Sequence, residues 1–551
     1  MFSLSNRPPD SNTRIGMTKR VTSFDDPTAD VPMVEVERQS KLQWNVQPSD
    51  FSKLCSNPIR KIVDNIKKPA TSTKTLIPLS LGDPTVFGNL HCPDVLVNAI
   101  VRNTRYVTVL HGICIDNWRS DGHTMFSAFC CSSMQHNGYI HSAGSEAARA
   151  AIAQHYGNVR APLTMDDIII ASGCSGAIEI ALRGLLNPGD NILLPKPGFP
   201  LYQALCEAHK IECRFYNLKV GILHGSPTVS ILYSLFVSVV MSIFQPEQNW
   251  DVDLEHMQSL VDDNTKAILV NNPSNPCGSV YSKVEVFFAL PSPTFEPLTN
   301  VFLIVQPHLE KILALADDNK IPIIADEIYG DMVFGSIVFF PMATLTKTVP
   351  VVAVGGLAKQ FLIPGWRVGW VMVHDRNNIL KDVRTAYFKL SQNILGANSL
   401  VQSAIPDLLT PVPGSAEAQS LVDFKKRYFA TLEDNAKFTI DTLTKIPGLE
   451  VVVPQGAMYA MVRRRSTDNN SFFLYNANFR YVLQVKVNTT VLTKIKDDFD
   501  LTQKLLDEES VFVLPGQCFG MTNYFRIVFS APHEVLADAY TRLASFCHRH
   551  Q

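Results

Sequence analysis

Short apolar runs alternate with helical patterns through the central part of the chain. The runs are apolar throughout rather than at every second position, which is typical of parallel strands covered on both faces. One intervening helical pattern, over 176–186, stops at a turn of Asn187, Pro188 and Gly189. We therefore predict a doubly wound α/β domain, in which ligands bind beyond the carboxyl ends of the strands. The predicted strands span 168–171, 191–194, 267–270, 321–325 and 351–354.

The C-terminal part has a different pattern, with predicted strands over 448–453, 455–462 and 525–529 among helical stretches. This mixture predicts a second, smaller α+β domain. The polar first stretch has no sustained period, so we interpret 1–56 as a flexible tail. The predicted organisation is then an N-terminal part of the small domain over 57–101, a large domain over 135–400 and the C-terminal small domain over 401–551.

Four segments interrupt this organisation. They span 102–134, 220–244, 284–307 and 463–492. Long structureless insertions inside a compact domain are unusual, and these have abrupt edges and no clear period. Our hypothesis is that some of them are translated non-coding sequence; otherwise they should be surface loops. The uncharged run within 228–244 is at the low end of the roughly 17–25 residues of a membrane helix. Because predicted strands flank it, we favour a surface insertion over a membrane anchor.

Composition narrows the class of protein. The 551 residues are 46% hydrophobic and 18% charged, as in globular proteins. A net charge of −2 gives no strong field for nucleic acid or an acidic membrane. The eleven cysteines form no paired CxxC motif and no disulfide framework, so we predict no metal site and a reducing cytoplasm. A mitochondrial location is less favoured, because Asp10, Asp25 and Asp26 are unlike a transit peptide.

The strongest chemical signal lies over 355–370. Lys359 follows a buried run through a loop of small residues, and Arg367 follows later in the same block. A lysine in an apolar pocket near cations becomes a nucleophile toward aldehydes, and an arginine can bind a phosphate with two hydrogen bonds. Together they suggest pyridoxal 5'-phosphate (PLP). The alternative, a solvated surface lysine, does not account for the flanking glycines and apolar residues.

Three further motifs follow predicted strands. Asp326 directly follows the predicted strand 321–325. A carboxylate there could keep a pyridine nitrogen protonated, although a helix cap is an equally good interpretation. Tyr329 could bond the phenolic oxygen of such a ring. The stretch 271–278, which includes Asn275, is by itself a turn. The stretch 172–176 offers N–H groups at a helix start, a weak signal for anion binding.

The four motifs around Lys359, Asp326, Asn275 and the stretch 172–176 occur in one chain, together with the stretches 79–90 and 514–519. In combination they resemble the class I aminotransferases of PLP fold type I. The resemblance runs from about residue 57 to residue 548, apart from the four insertions. It implies an α/β fold with a mostly parallel, seven-stranded-type sheet in a large PLP-binding domain, beside a smaller α+β domain. It also implies a homodimer with shared active sites.

The resemblance assigns roles around the cofactor. Lys359 would attach the cofactor covalently and move the substrate Cα proton, and Asp326 would pair with the pyridine nitrogen. Tyr329 and Asn275 would bond the ring oxygen O3′, and Phe199 would stack on the ring, where the simpler alternative is a core phenylalanine.

Further roles concern the phosphate and the substrate. Tyr139 would reach the phosphate of the partner subunit, unless it is simply a packed aromatic residue. Arg526 would clamp the substrate α-carboxylate, with Asn275 nearby, unless it is a surface charge. Gly82 lies in the loop that would close over the substrate. The phosphate itself would be held by Gly173, Cys174, Ser175 and Arg367.

The implied activity is PLP-dependent transfer of the amino group of L-tyrosine, or another aromatic amino acid, to 2-oxoglutarate. The products would be 4-hydroxyphenylpyruvate and glutamate, in the first step of tyrosine catabolism. The expected partners are a small amino acid and a 2-oxo acid, without nucleic acid or membrane. The alternatives are a kynurenine or alanine aminotransferase, a cyclopropane-forming carboxylate synthase, or an inactive homologue disrupted by the insertions.

Overall fold

The computed structural model describes residues 48–55, 57–59, 73–104, 136, 138–220, 250–281, 285–290, 299–304, 308–393, 395–464 and 491–551. The chain separates into two units, Met1–Ser49 and Asp50–Gln551. Every described helix and strand lies in the second unit.

The described part contains sixteen strands, which are numbered along the chain. They are β1 Ile77–Pro78, β2 Ile168–Ser172, β3 Asn191–Lys196, β4 Glu212–Val220, β5 Trp250–Val252, β6 Thr265–Asn271, β7 Glu285–Leu290, β8 Thr299–Ile304, β9 Ile323–Asp326, β10 Val351–Gly356, β11 Val368–His374, β12 Leu449–Val451, β13 Tyr459–Arg464, β14 Val511–Phe512, β15 Leu514–Pro515 and β16 Tyr524–Val528.

Thirteen α-helices lie among these strands in the same described residues. They are α1 Asp50–Leu54, α2 Asp94–Thr104, α3 Glu146–Tyr156, α4 Gly173–Leu185, α5 Pro200–Ala208, α6 Leu254–Ser259, α7 His308–Asp318, α8 Lys381–Ser391, α9 Ser399–Gln402, α10 Ile405–Leu409, α11 Ala416–Leu443, α12 Asp498–Glu509 and α13 His533–Arg549.

The central sheet has eight strands in the order β2-β11-β10-β9-β6-β3-β4-β5. The five strands from β10 to β4 are parallel, whereas β11 runs antiparallel to both its neighbours and β5 runs antiparallel to β4. The predicted mostly parallel α/β sheet is confirmed. It has one strand more than the seven expected, because the short strand β5 extends the β4 edge.

Both faces of this sheet are buried. Along β2, Ile168 and Ile170 belong to one hydrophobic core, whereas Ile169 and Ala171 belong to a second core. Successive side chains of a strand point to opposite faces, so a strand between two cores must be apolar at every position. This is the physical reason for the continuous apolar runs of the sequence.

All five predicted strands of this sheet are present, with small shifts at their ends. The strand predicted over 321–325 begins at Ile323, since Pro322 has no N–H to donate to a neighbouring strand. The helix predicted over 176–186 begins earlier, at Gly173. Its first turn therefore follows directly after β2, which places helix N–H groups at the edge where the parallel strands end.

A second, antiparallel sheet has the order β12-β13-β16-β15, near helices α11 to α13 of the C-terminal part. Strand β13 starts at Tyr459 rather than near residue 455, because Ala457 has a left-handed φ of 58°. The parallel pair of β1 and β14 joins the N-terminal segment to this part of the chain. The predicted domain boundaries stay predictions, since residues from Asp50 onward form one compact unit.

The segments interpreted as insertions are only partly described. Strands β7 and β8 form an antiparallel hairpin within 284–307, which differs from the structureless loop expected there. Both strands are rich in the aromatic and β-branched residues that favour strand pairing. Helix α2 continues to Thr104 and β4 ends at Val220, so ordered structure extends into two further segments. Most of 102–134, 220–244 and 463–492 lies outside the described residues.

The uncharged run of 228–244 also lies outside the described residues. Within the part of the chain that the structure describes, every helix is too short or too polar to cross a bilayer. The eight described cysteines are all free thiols.

Candidate active site

The motifs singled out in the sequence meet where the parallel strands end. Asp326 is the last residue of β9 and lies opposite Asn271, the last residue of β6. The Asn271 side chain donates from Nδ2 to the Asp326 carbonyl (3.0 Å) and accepts from the Asn275 N–H (2.7 Å). Lys359 follows the neighbouring strand β10, which pairs with β9 up to Asp326. Parallel register therefore brings the predicted lysine, carboxylate and amide to one edge of the sheet.

The Asp326 carboxylate is buried, with 3% of its surface exposed. The Tyr202 hydroxyl donates to Oδ2 (2.6 Å), and the Ile328 N–H (3.2 Å) and Cys174 thiol (3.7 Å) donate to Oδ1. Burial raises the pKa of Asp326, and the three donors oppose that rise. No described residue forms an ion pair with it. The site thus presents a buried acceptor that can pair with a cationic group of a ligand.

A cradle for an anion lies at the start of α4. The Gly173 N–H donates to the Arg367 carbonyl (3.0 Å), and a Cβ atom at Gly173 would lie 2.5 Å from Arg367 Nη2. Gly173 also has a φ of 70°, which a residue with a side chain rarely adopts. The Arg367 guanidinium thus lies beside the first turn of α4, which contains Cys174 and the exposed Ser175. A helix start beside an arginine is a favourable place for a phosphate.

Lys359 is partly buried, and its amine donates to the carbonyl of Gly82. The Tyr428 hydroxyl donates to the Lys359 carbonyl (3.2 Å), which anchors the backbone of that loop. Gly82 itself is tightly packed, because a Cβ atom there would lie 2.6 Å from the Tyr459 hydroxyl. The lysine amine is therefore held against the loop predicted to close over a substrate.

Arg526 is a buried cation on β16, with 2% of its surface exposed. Its Nη1 donates to Asn275 Oδ1 (2.8 Å) and its Nη2 donates to the Ser80 carbonyl (2.7 Å). The guanidinium carbon lies 4.4 Å from the Tyr459 ring centre and 4.9 Å from that of Phe519. Its Nε has no hydrogen-bond partner among the described residues, and burial lowers the pKa of the guanidinium. No described carboxylate forms an ion pair with it, so this charge is available to an anionic ligand.

Two tyrosines connect this arginine to the rest of the site. The Tyr329 and Tyr459 hydroxyls are hydrogen-bonded (2.8 Å), and their rings meet edge to face with centres 5.6 Å apart. Burial raises the pKa of Tyr329, so its hydroxyl keeps its proton at neutral pH. Tyr459 thus touches Arg526, Tyr329 and Gly82 at once.

The remaining two predicted residues differ in their surroundings. Phe199 precedes α5 and is half-buried, with its ring edge to face with Tyr202 at 5.6 Å. Tyr139 is 94% exposed and makes none of the contacts described above. The structure therefore brings together every predicted site residue except Tyr139, within the single chain.

Sequence reasoning missed three residues of the site. Tyr202 lies one helical turn beyond Phe199, so helical spacing from that motif could have indicated it. Asn271 opens the stretch 271–278 directly after the predicted strand 267–270, a position at which polar side chains deserve attention. Tyr459 carried no local signal, because its role depends on the pairing of β13 with β16.

Comparisons with known proteins agree with this geometry. The family model described as aminotransferase class I and II matches residues 77–286 and 303–543, and its gap falls within the segment 284–307. The chain is 39% identical to tyrosine aminotransferase of Dictyostelium discoideum, over 93% of this chain and 98% of that protein. It is 36% identical to tyrosine aminotransferase of Homo sapiens, over 93% and 89% of the two chains.

Comparison with solved structures supports the same family. The fold is similar to the crystal structure of tyrosine aminotransferase from Leishmania infantum, with a TM-score of 0.69 and 30% identity. That similarity covers 92% of this chain and 100% of the other.

Proposed function

The chain belongs to the aminotransferase class I and II family, as its motifs predicted, and from this premise we propose that it transfers the amino group of L-tyrosine to 2-oxoglutarate. The products are 4-hydroxyphenylpyruvate and glutamate. The proposal is supported by relatives named tyrosine aminotransferase in Dictyostelium discoideum, Mus musculus and Homo sapiens, each matched along most of its length. The cytoplasmic location stays a prediction, which cell fractionation can test.

The residues present fit PLP as the cofactor. Lys359 would hold its aldehyde carbon, and Asp326 its ring nitrogen. The cradle of Gly173 and Arg367 would hold its phosphate. Glycine suits this position, because a Cβ at residue 173 would collide with the Arg367 guanidinium. When bound, PLP supplies an aldehyde that condenses with amines and a ring that withdraws electrons from the substrate Cα.

The residues of this chain then have separate tasks. The Lys359 amine would take the substrate Cα proton at Nζ and would hold it there for redelivery to the reacting group. The Asp326 carboxylate would accept a hydrogen bond from the ring nitrogen and would favour its charged form. Tyr329 and Asn275 would bond the ring oxygen. Fixed groups aimed at developing charge supply much of an enzyme's rate enhancement.

Arg526 would orient both substrates through their α-carboxylates, and its contacts with the Tyr459 and Phe519 rings fix the orientation of the planar guanidinium. The observation that carries the proposal is the pair of buried opposite charges, Asp326 and Arg526, which have no ionic partner among the described residues. A ligand with a cationic ring nitrogen at one end and a carboxylate at the other satisfies both charges.

Because Tyr139 makes none of the site contacts among the described residues, we assign it to the phosphate site of the partner subunit in a homodimer. Its 94% exposure suits a residue that acts in a neighbouring molecule. Mixed dimers of Lys359→Ala and Tyr139→Phe chains test this assignment. They should contain one site with both defects and one intact site, so mixing should restore activity that neither variant has at low PLP. A strictly monomeric protein would contradict it.

The function itself is tested with purified full-length protein and PLP. We expect formation of 4-hydroxyphenylpyruvate from L-tyrosine and 2-oxoglutarate, at a higher kcat/KM than with kynurenine or alanine, and no product from S-adenosylmethionine. Borohydride reduction should fix PLP to the chain at Lys359. A protein that retains no PLP after reduction would be the inactive homologue instead. A higher kcat/KM with kynurenine or alanine would instead make it a kynurenine or alanine aminotransferase of the same class.

A further inference from the structure

Tyr202 is a buried tyrosine whose hydroxyl is bonded to the central carboxylate of the site. It lies on α5 with 2% of its surface exposed, and its hydroxyl donates to Asp326 Oδ2 at 2.6 Å. We propose that Tyr202 is a positioning residue that determines how strongly Asp326 attracts the proton of the cofactor ring nitrogen. The inference rests on the proposed PLP chemistry and adds a residue to it.

Tyr202 is the strongest donor to this carboxylate. Short hydrogen bonds from a hydroxyl to an ionised oxygen are about twice as strong as those between neutral groups. The other two donors are weaker, because the Ile328 N–H lies at 3.2 Å and the Cys174 thiol, a poor donor, lies at 3.7 Å. Removal of the Tyr202 hydroxyl would therefore leave a buried carboxylate with incomplete hydrogen bonding.

The position of the hydroxyl is fixed by packing. The Tyr202 ring belongs to the second core of the sheet and meets the Phe199 ring edge to face, at 88° between planes. Phe199 is the N-cap residue of the same helix. One helix thus places both Phe199, which is proposed to stack on the cofactor ring, and Tyr202, which is bonded to Asp326. The stacking contact and the hydrogen bond to Asp326 are therefore set together.

The direction of the effect follows from one proton equilibrium. The ring N–H⁺ and the Asp326 carboxylate can exchange a proton to give a neutral ring nitrogen and a neutral carboxyl, without any transfer of electrons. The Tyr202 hydrogen bond stabilises the carboxylate and hence the charged ring. In Tyr202→Phe the equilibrium should shift toward the neutral ring by about tenfold or more, the range measured for hydrogen bonds to charged groups. The carboxyl pKa should rise in the protein without PLP for the same reason.

The first measurement uses PLP labelled with ¹⁵N at the ring nitrogen, bound to the full-length protein without substrate. The ¹⁵N chemical shift reports the protonation of the ring directly, as a function of pH. We expect a protonated ring in the wild type and a shift toward the neutral value in Tyr202→Phe. Replacement of Tyr202 by 3-fluorotyrosine, which is a stronger donor, should move the equilibrium in the opposite direction.

Tyr216→Phe is the matched control. Tyr216 is equally buried in the first core, and its hydroxyl donates to the Leu269 carbonyl (2.9 Å) rather than to Asp326. It should keep the wild-type ¹⁵N shift, even if it loses similar stability. In Asp326→Asn, which carries no acidic group, addition of Tyr202→Phe should produce no further change.

The second measurement is a ¹³C-carboxyl titration of the PLP-free protein, with the Asp326 signal identified by its absence in Asp326→Asn. A higher carboxyl pKa in Tyr202→Phe than in Tyr216→Phe supports the inference. Equal pKa values, or equal ¹⁵N shifts in the loaded proteins, would overturn it. If the wild type held no PLP, the proposed function would fail, whereas the carboxyl titration would still decide whether Tyr202 controls Asp326.

Discussion

Replacement of Arg526 by lysine would keep a buried cation but remove the planar fork of N–H groups. The arginine now donates to Asn275 and to the Ser80 carbonyl, at 2.8 and 2.7 Å, and lies between two aromatic rings. A lysine ammonium is a compact point charge. It cannot keep these two hydrogen bonds and also donate to a carboxylate in bidentate geometry. The substrate α-carboxylate should therefore lose at least one hydrogen bond to a charged donor.

The expected size follows from that loss. A hydrogen bond to a charged group contributes roughly 1.5–3 kcal/mol, and each 1.4 kcal/mol corresponds to about a tenfold change. We expect Arg526→Lys to lower kcat/KM by about 10- to 150-fold for L-tyrosine and equally for 2-oxoglutarate, because both substrates present a carboxylate to the same group.

Stopped-flow measurement of the two half-reactions separates the substrates. Tyramine, which has the side chain of tyrosine but no carboxylate, provides the internal comparison, and its binding to the PLP-loaded protein should change far less than that of tyrosine. Arg463→Lys is the matched control, since this arginine lies on the neighbouring strand β13 beside the Tyr524 ring, at 5.6 Å. If tyramine and tyrosine lost binding equally, Arg526 would support the fold rather than clamp the carboxylate.

Three further substitutions and one control substitution have defined outcomes. Lys359→Ala should abolish turnover and the visible absorbance of the bound cofactor, and normal steady-state turnover would refute its role. Gly173→Ala would place a Cβ 2.5 Å from Arg367 Nη2 at a φ of 70°, so PLP affinity in a fluorescence titration should fall about tenfold. Gly176→Ala, whose Cβ would have ordinary contacts at 3.7 Å, should leave that affinity unchanged. Burial raises the pKa of Glu327 to about 8 from its ordinary 4.5, so its contribution to stability is complete below pH 4.5 and is lost as the pH rises through 8. Glu327→Gln should therefore gain stability relative to the wild type from pH 5 to 8.5 in urea unfolding, and a pH-independent difference would contradict this.

The sequence alone determined the features that depend on neighbouring residues. A strand buried on both faces must be apolar throughout, so β2, β3, β6, β9 and β10 were recognisable from their composition. The motifs after these strands were recognisable too, since turns and helix starts need particular residues at fixed spacings. Their order along the chain was enough to indicate the family.

Only the tertiary structure decided which side chains meet across long stretches of chain. Tyr202 and Asp326 are 124 positions apart, and Arg526 and Asn275 are 251 positions apart. No local pattern encodes such contacts, because they depend on strand order, strand register and the packing of two sheets. The paired strands β7 and β8 differed from expectation for the same reason, since they are defined by pairing with each other rather than by a period within one strand.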